Sequence, residues 1–290
     1  METPKSTPTF VITGATSGLG RIAATELARQ GAHLVLTARS AERAEETRAE
    51  IQAAAPGTDV DVFLVDFTST ADVRRVGKEI AEHCERIDVL INNAGIHAFE
   101  QRVTAEGYPE MVAVNYFAPW LLTHELLPTL AMTAGARIVN VGSEASRRHG
   151  NLMLPADLTD TTPFTSRGSS PRYGKTKLFD IMFTLELARR IEGTAVTANA
   201  LDPGFNVTGL GRELGFAALL EKILTYLRIG DPRRGAGLIV KLATGSDFEG
   251  CNGGYYTVKD AKRLTPIHPG GDAGWQEKLW TETERLLNAQ

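Results

Sequence analysis

The sequence predicts an α/β fold: a doubly wound parallel sheet with helices on both faces, formed by the whole chain as a single domain. Two observations carry this. Short β-branched and aromatic runs alternate with longer segments of helical spacing along nearly all of the 290 residues, a pattern that yields parallel strands joined by right-handed crossovers. Chemically distinctive residues also follow the strands rather than the helices, and the carboxyl ends of the strands are where such a sheet forms its ligand crevice. The composition, 42% hydrophobic and 23% charged, is ordinary for a globular chain. A formal net charge of −4 with no long basic run argues against nucleic acid or an acidic membrane surface as a partner. Cys84 and Cys251 lack ligand-like spacing and read as idle thiols in a reducing compartment. The flexible, polar N-terminus (1–8) has no apolar signal core, and no apolar run is long enough to span a bilayer. The expected location is therefore the cytoplasm.

The elements justify this in order. Residues 9–13 form a buried strand that runs into Gly14-Ala15-Thr16-Ser17-Gly18-Leu19-Gly20, and 21–30 has helical spacing before Gly31, a natural helix end. Strand, glycine-rich turn and helix form the context of a dinucleotide-binding, Rossmann-type turn. The glycines let the backbone approach a pyrophosphate, and the helix N-terminus offers it free N–H groups. The second strand, 33–38, ends in Ala38-Arg39-Ser40. An acid near this tip binds the ribose hydroxyls of NAD, whereas a basic residue pairs with the 2′-phosphate of NADP. Arg39, with Ala38 beside it, favours NADP(H).

Helices are expected over 41–55 and 71–84, with strands over 60–65, ending at Asp66, and over 89–91. The latter leads into Asn92-Asn93-Ala94-Gly95. A long helix over 110–130 contains Asn115 among apolar residues, where its amide needs hydrogen-bond partners. The strand 137–141 ends at Gly142-Ser143, and 147–170 reads as a polar loop over the crevice mouth. The strand 196–201 leads to Asp202-Pro203-Gly204. Helices or strands are further expected over 207–229 (a packed helix or a movable lid), 232–244, 255–258 and 275–287. The organisation is thus one domain with a lid segment at 205–230 and a C-terminal extension at 260–290.

Tyr173 and Lys177 stand four residues apart at the opening of the apolar helical segment 178–191, so they share a helix face. A fixed positive charge beside a phenol lowers its pKa and makes the pair a candidate general acid/base. His97, His149 and His268 have no partner at ligand spacing. No metal site is expected, and His97 is not assigned to the pocket edge. Ser143 lacks the Gly-x-Ser-x-Gly setting of a hydrolase nucleophile.

Thr13-Gly14-x-x-x-Gly18-x-Gly20, Asn92-Asn93-Ala94-Gly95, Asn115, Ser143 and Tyr173-x-x-x-Lys177, in this order, resemble the classical short-chain dehydrogenase/reductase family. Thr37-Ala38-Arg39, Asp66-Phe67-Thr68-Ser69, 137–141 and Pro203-Gly204 followed by Thr208 are similar to its retinol-dehydrogenase-like and WW-domain-oxidoreductase-like branch. The resemblance implies a catalytic tetrad of Asn115, Ser143, Tyr173 and Lys177. It implies that Gly14, Ser17, Gly18, Leu19 and Gly20 bind pyrophosphate and ribose, that Asp66 meets adenine, and that Asn92, Asn93 and Ala94 lie along the adenosine side. Pro203, Gly204 and Thr208 would line the nicotinamide. Gly142 departs from the family by standing where a first serine is common, and Asn206 stands where an apolar residue is usual. The function expected is NADP-dependent hydride transfer between nicotinamide and a carbonyl or alcohol. Phe205, Leu210, Leu214, Phe216 and Leu219 would form an apolar wall suited to a hydrophobic ketone or aldehyde. The alternatives are an NADP(H)-holding sensor without turnover and an extended-type sugar-nucleotide epimerase. Apolar residues on more than one face of the helices 110–130 and 178–191 (Trp120, Leu126, Phe179, Met182, Phe183) predict a homodimer or homotetramer.

Overall fold

The computed structural model describes residues 7–204 and 231–288. Seven parallel strands form one sheet in the order β3-β2-β1-β4-β5-β6-β7. They are β1 (Thr9–Thr13), β2 (His33–Ala38), β3 (Val60–Leu64), β4 (Val89–Asn92), β5 (Arg137–Val141), β6 (Thr197–Asp202) and β7 (Gly254–Thr257). The order reverses between β1 and β4, which opens a crevice beyond their carboxyl ends. Successive β1 residues face opposite layers, as the two-residue period of a strand requires. Val11 joins the core that also holds Val35, Leu90, Ile138 and Ala198, while Ile12 joins Leu34, Leu36, Ile91 and Val139 on the other face.

The helices are α1 (Gly18–Arg29), α2 (Ala41–Ala54), α3 (Thr70–His83), α4 (Glu110–Val112), α5 (Ala118–Ala131), α6 (Ala156–Thr159), α7 (Ser166–Arg190), α8 (Pro232–Thr244) and α9 (Ala273–Asn288). Residues of α1 and α8 pack into one core layer, and those of α3, α5, α7 and α9 into the other. Two elements depart from the sequence reading. The helix expected over 110–130 is interrupted by a π turn at Ala113–Phe117, with Asn115 at its middle; such turns mark functional positions. The expected loop over 147–170 contains α6, and α7 starts at Ser166, so Tyr173 lies inside an established helix. Pro171 sits within the first turns of α7, near the helix end where proline is best tolerated.

Trp120, Leu126, Phe179, Met182 and Phe183 are all at most 2% exposed within this single chain. Their cover includes α9. Trp280 stacks on Phe183 at 5.8 Å and 23° and meets Trp120 and His124. Gln276 accepts from Arg189 at 2.6 Å, and Thr283 shares a 2.7 Å hydrogen bond with Tyr116. The apolar residues that predicted a partner subunit are satisfied inside the chain, so they supply no argument for an oligomer. The segment 205–230, with its expected lid and apolar wall, lies outside the described residues.

Candidate active site

The crevice is built first from the turn after β1. Gly14 has φ +66, in the left-handed region that favours glycine. A Cβ on Gly20 would stand 2.4 Å from Asn93 Nδ2 and 2.6 Å from the Gly14 carbonyl oxygen, so no larger residue fits. Asn93 braces the same turn, its amide donating to the Thr13 and Gly14 carbonyl oxygens at 2.8 and 3.2 Å. The Thr13 hydroxyl accepts from the Asn93 and Ala94 amides, both at 2.9 Å. The Asn-Asn-Ala-Gly segment therefore locks β4 to the glycine turn. Asn92 is turned into the sheet: its amide donates to Asn140 at 2.8 Å and to Thr123 at 3.1 Å, rather than presenting itself to the crevice.

The N-terminus of α1 carries no side-chain cap from Ser17 and no acidic residue in its first turn. Its N–H groups and positive dipole end remain open to an anion. Gly18 and Leu19 begin this helix, with Leu19 buried. At the tip of β2, Ala38 is buried and Arg39 exposed. Among the described residues, no hydrogen bond or ion pair engages the Arg39 guanidinium. At the tip of β3, Asp66 Oδ1 accepts from the Thr68 amide and hydroxyl at 3.0 and 2.8 Å. An open helix end and a turn with no room for a Cβ together fit the pyrophosphate of a dinucleotide.

The second half of the site comes from β4, β5, β6 and α7. Asn115 is 1% exposed; its carbonyl accepts from the Ile96 amide at 2.8 Å, and its amide donates to the Ile96 carbonyl oxygen and to Thr176 at 2.9 and 3.0 Å. A Cβ on Gly95 would lie 3.4 Å from Asn115 Oδ1 and 3.6 Å from Lys177 Nζ, which brings these two side chains to one spot. Lys177 Nζ lies 6.0 Å from the centroid of the Tyr173 ring, as their shared helix face requires. It donates to the Val141 carbonyl oxygen at 2.9 Å and to Asp180 at 2.8 Å.

Ser143 follows β5 and caps a short 3-10 turn, its hydroxyl accepting from the Ala145 amide at 3.1 Å. This turn runs directly against α7: a Cβ on Gly174 would be 2.7 Å from the Ala145 carbonyl oxygen. Glycine next to Tyr173 is thus what lets the Ser143 segment approach the helix. Gly142 is tight as well, since a Cβ there would meet Ile181 and the Leu201 carbonyl oxygen at 3.2 Å. Pro203 and Gly204 follow Asp202 at the end of β6; Thr208 is outside the described residues.

The electrostatics correct one expectation. Burial raises the phenol pKa of Tyr173; Lys177 lowers it, but Asp180 and Asp202 add to the rise, and the result lies above the ordinary value. Burial opposes the charge of Lys177, yet Asp180 and Tyr173 hold its pKa above the usual range. Burial pushes the Asp180 carboxyl up to about 6 against the pull of Lys177. Lysine alone would have lowered the phenol; burial of the ring, with Asp180 and Asp202 adding to it, reverses the sign.

Sequence reasoning missed Asp180, gave Thr13 no role beyond its place in the glycine motif, and left His97 unassigned. His97 stacks on the Tyr173 ring at 4.4 Å and 13°, and shares a 2.6 Å hydrogen bond with Ser169. Its place directly after Asn-Asn-Ala-Gly was the available signal.

An open anion cradle and a phenol–ammonium pair stand at the carboxyl ends of the same sheet. Comparison with known proteins supplies the family. The short chain dehydrogenase family profile matches residues 8–155. Human retinol dehydrogenase 14 is 36% identical over 96% of this chain and 86% of its own length. This chain belongs to the short-chain dehydrogenase/reductase family, and within it is similar to the retinol dehydrogenases. Among solved structures, a short chain dehydrogenase from Burkholderia cenocepacia in complex with NADP has 25% identity and a TM-score of 0.67, covering 86% of this chain and 95% of that one. Levodione reductase shares the fold, with 23% identity, a TM-score of 0.69 and coverage of 93% and 98%.

Proposed function

We propose that this oxidoreductase is NADP(H)-preferring and interconverts a hydrophobic carbonyl compound and its alcohol. The observation that carries the reading is the Tyr173–Lys177 pair, set beside Asn115 and backed by the Ser143 turn at the head of the sheet. The bound dinucleotide supplies or accepts the hydride. Tyr173 gives its phenolic proton to the carbonyl oxygen in reduction and takes it from the alcohol in oxidation. Ser143 donates a hydrogen bond to the same oxygen and polarises it. Lys177 holds the ribose and the electrostatic balance of the phenol, and Asn115 fixes the segment 95–96 that walls the pair. The glycine turn and the α1 N-terminus would hold the pyrophosphate, Asp66 would meet adenine and Arg39 would pair with the 2′-phosphate.

Two facts support the finer points. Arg39 is exposed and uncommitted where the 2′-phosphate would lie, and the Burkholderia relative was solved with NADP. The names of the retinol dehydrogenases favour an apolar, retinoid-like or similarly extended substrate. A sensor role is disfavoured by the complete tetrad, since holding a dinucleotide requires neither Ser143 nor a proton donor. The test is cofactor oxidation by the purified protein against retinoid, steroid and aromatic carbonyls. Tyr173→Phe should lower kcat by about 10²-fold or more, the contribution of a general acid, while leaving cofactor affinity in place. Lys177→Ala should damage both. Near-wild-type turnover in Tyr173→Phe would remove the assignment.

A further inference from the structure

Lys177 is held by a group outside the tetrad. Asp180, one turn further along α7, accepts from Nζ at 2.8 Å, and the two side chains are each 6% exposed. Among the described residues, no other group donates a hydrogen bond to that carboxylate. A buried ion costs several kcal/mol unless paired, so the two charges depend on each other. The groups that face them are Tyr173 on the same helix, Tyr116 from the π turn and, acting on Tyr173, Asp202 from the end of β6. Asn115, the Val141 carbonyl oxygen and Gly95 complete the wall around Nζ without adding charge.

Counting charge shows what Asp180 does. With it ionised, Asp180, Lys177 and protonated Tyr173 sum to zero, and loss of the phenolic proton leaves a buried net negative charge. Without it, the lysine–tyrosine pair starts with a net positive charge, and the same loss makes it neutral. The second change is the easier one in a weakly polar site. We propose, on the reading of Tyr173 and Lys177 given above, that Asp180 is a positioning residue for the reaction. Its carboxylate anchors Lys177 and takes up its charge, which keeps Tyr173 in the proton-donating form at neutral pH.

Asp180→Asn removes the charge with little change of shape, and Asp180→Glu keeps it. The phenolate of Tyr173 is followed by near-ultraviolet absorbance, as the difference between each protein and the same protein carrying Tyr173→Phe. The midpoint should fall by about 1–3 pH units in Asp180→Asn, the span over which a neighbouring charge moves a titration, and stay near wild type in Asp180→Glu. The acid limb of kcat/KM for alcohol oxidation should move down with it, gaining about tenfold per unit at a fixed lower pH. An unchanged or raised phenol midpoint in Asp180→Asn overturns the proposal, as does a shift in Asp180→Glu as large as that in Asp180→Asn. The titration needs no substrate. Loss of the proposed catalytic role, read from turnover in Tyr173→Phe, is therefore distinguishable from failure of the Asp180 inference.

Discussion

At the scale of single residues, the sharpest expectation concerns Arg39. A guanidinium meets a phosphate with paired, charge-assisted hydrogen bonds, and losing one such contact costs roughly 1.5–3 kcal/mol, about a tenfold to hundredfold loss of affinity. Arg39→Ala should therefore weaken NADP(H) by that factor while leaving NAD(H) nearly unchanged, and adding Ala38→Asp should reverse the preference. Dissociation constants for both dinucleotides, measured by fluorescence titration, decide it; an unchanged ratio in Arg39→Ala would mean the arginine does not read the phosphate. The placement of Arg39 at a strand tip and of Tyr173 and Lys177 on one helix face was legible because it depends on local spacing. Asp180 fitted the same helical arithmetic, but an acid three residues after a lysine reads as a solvated surface pair. Only the packing of α7 against β5 and the π turn, which leaves Asp180 5% exposed, turns it into part of the site. The turn before His97 was signal enough to raise it, but its neighbours Ser169 and Tyr173, about seventy residues away in sequence, were not readable.

At the scale of elements, the strands were readable because buried parallel strands are short β-branched runs, each stopped by polar or glycine-rich chemistry. β2 and β5 coincide with their expected spans. The start of α7 was not readable, because Ser166, Gly168, Ser169, Ser170 and Pro171 resemble loop composition. The structure ties this first part of the helix down from outside. Arg172 bonds to Asp160 at 2.7 Å, and Lys175 pairs with Asp157. Burial opposes ionisation of Asp160, but hydrogen bonds from Thr162 and Arg172 outweigh it and hold the carboxyl down to about 2. A carboxyl held low in the folded state stabilises the fold above its unfolded pKa, about 4. That contribution fades as pH falls toward 2. Asp160→Asn should lose stability at neutral pH, and the difference from wild type should shrink through this acid window. Urea unfolding at a series of pH values measures it, and a pH-independent difference would rule out the ion pair as its cause.

At the scale of the whole molecule, α9 occupies the face of α5 and α7 that the sequence offered to a second subunit. The expected dimer or tetramer would have to use another surface, and light scattering at micromolar concentration tests for it. Trp280 is 6% exposed and touches Trp120, His124, Phe183 and Arg190. Trp280→Ala should cost about 3–5 kcal/mol, as removal of a large buried aromatic does, read from the midpoint of denaturant unfolding. The hydrogen bond from α9 to Tyr116 lies next to Asn115 in the chain, and the one to Arg189 lies on the same helix as Tyr173 and Lys177. The segments that carry Asn115, Tyr173 and Lys177 thus lean on residues synthesised after every residue of the candidate site. During translation α1 waits for its core partner α8, and the half of the site that carries Tyr173 and Lys177 stays unbraced longer, until the ribosome has released residues 273–288. A premature stop between residues 209 and 272 would leave a chain that retains Asn115, Ser143, Tyr173 and Lys177 yet lacks the helix that braces the segments carrying them.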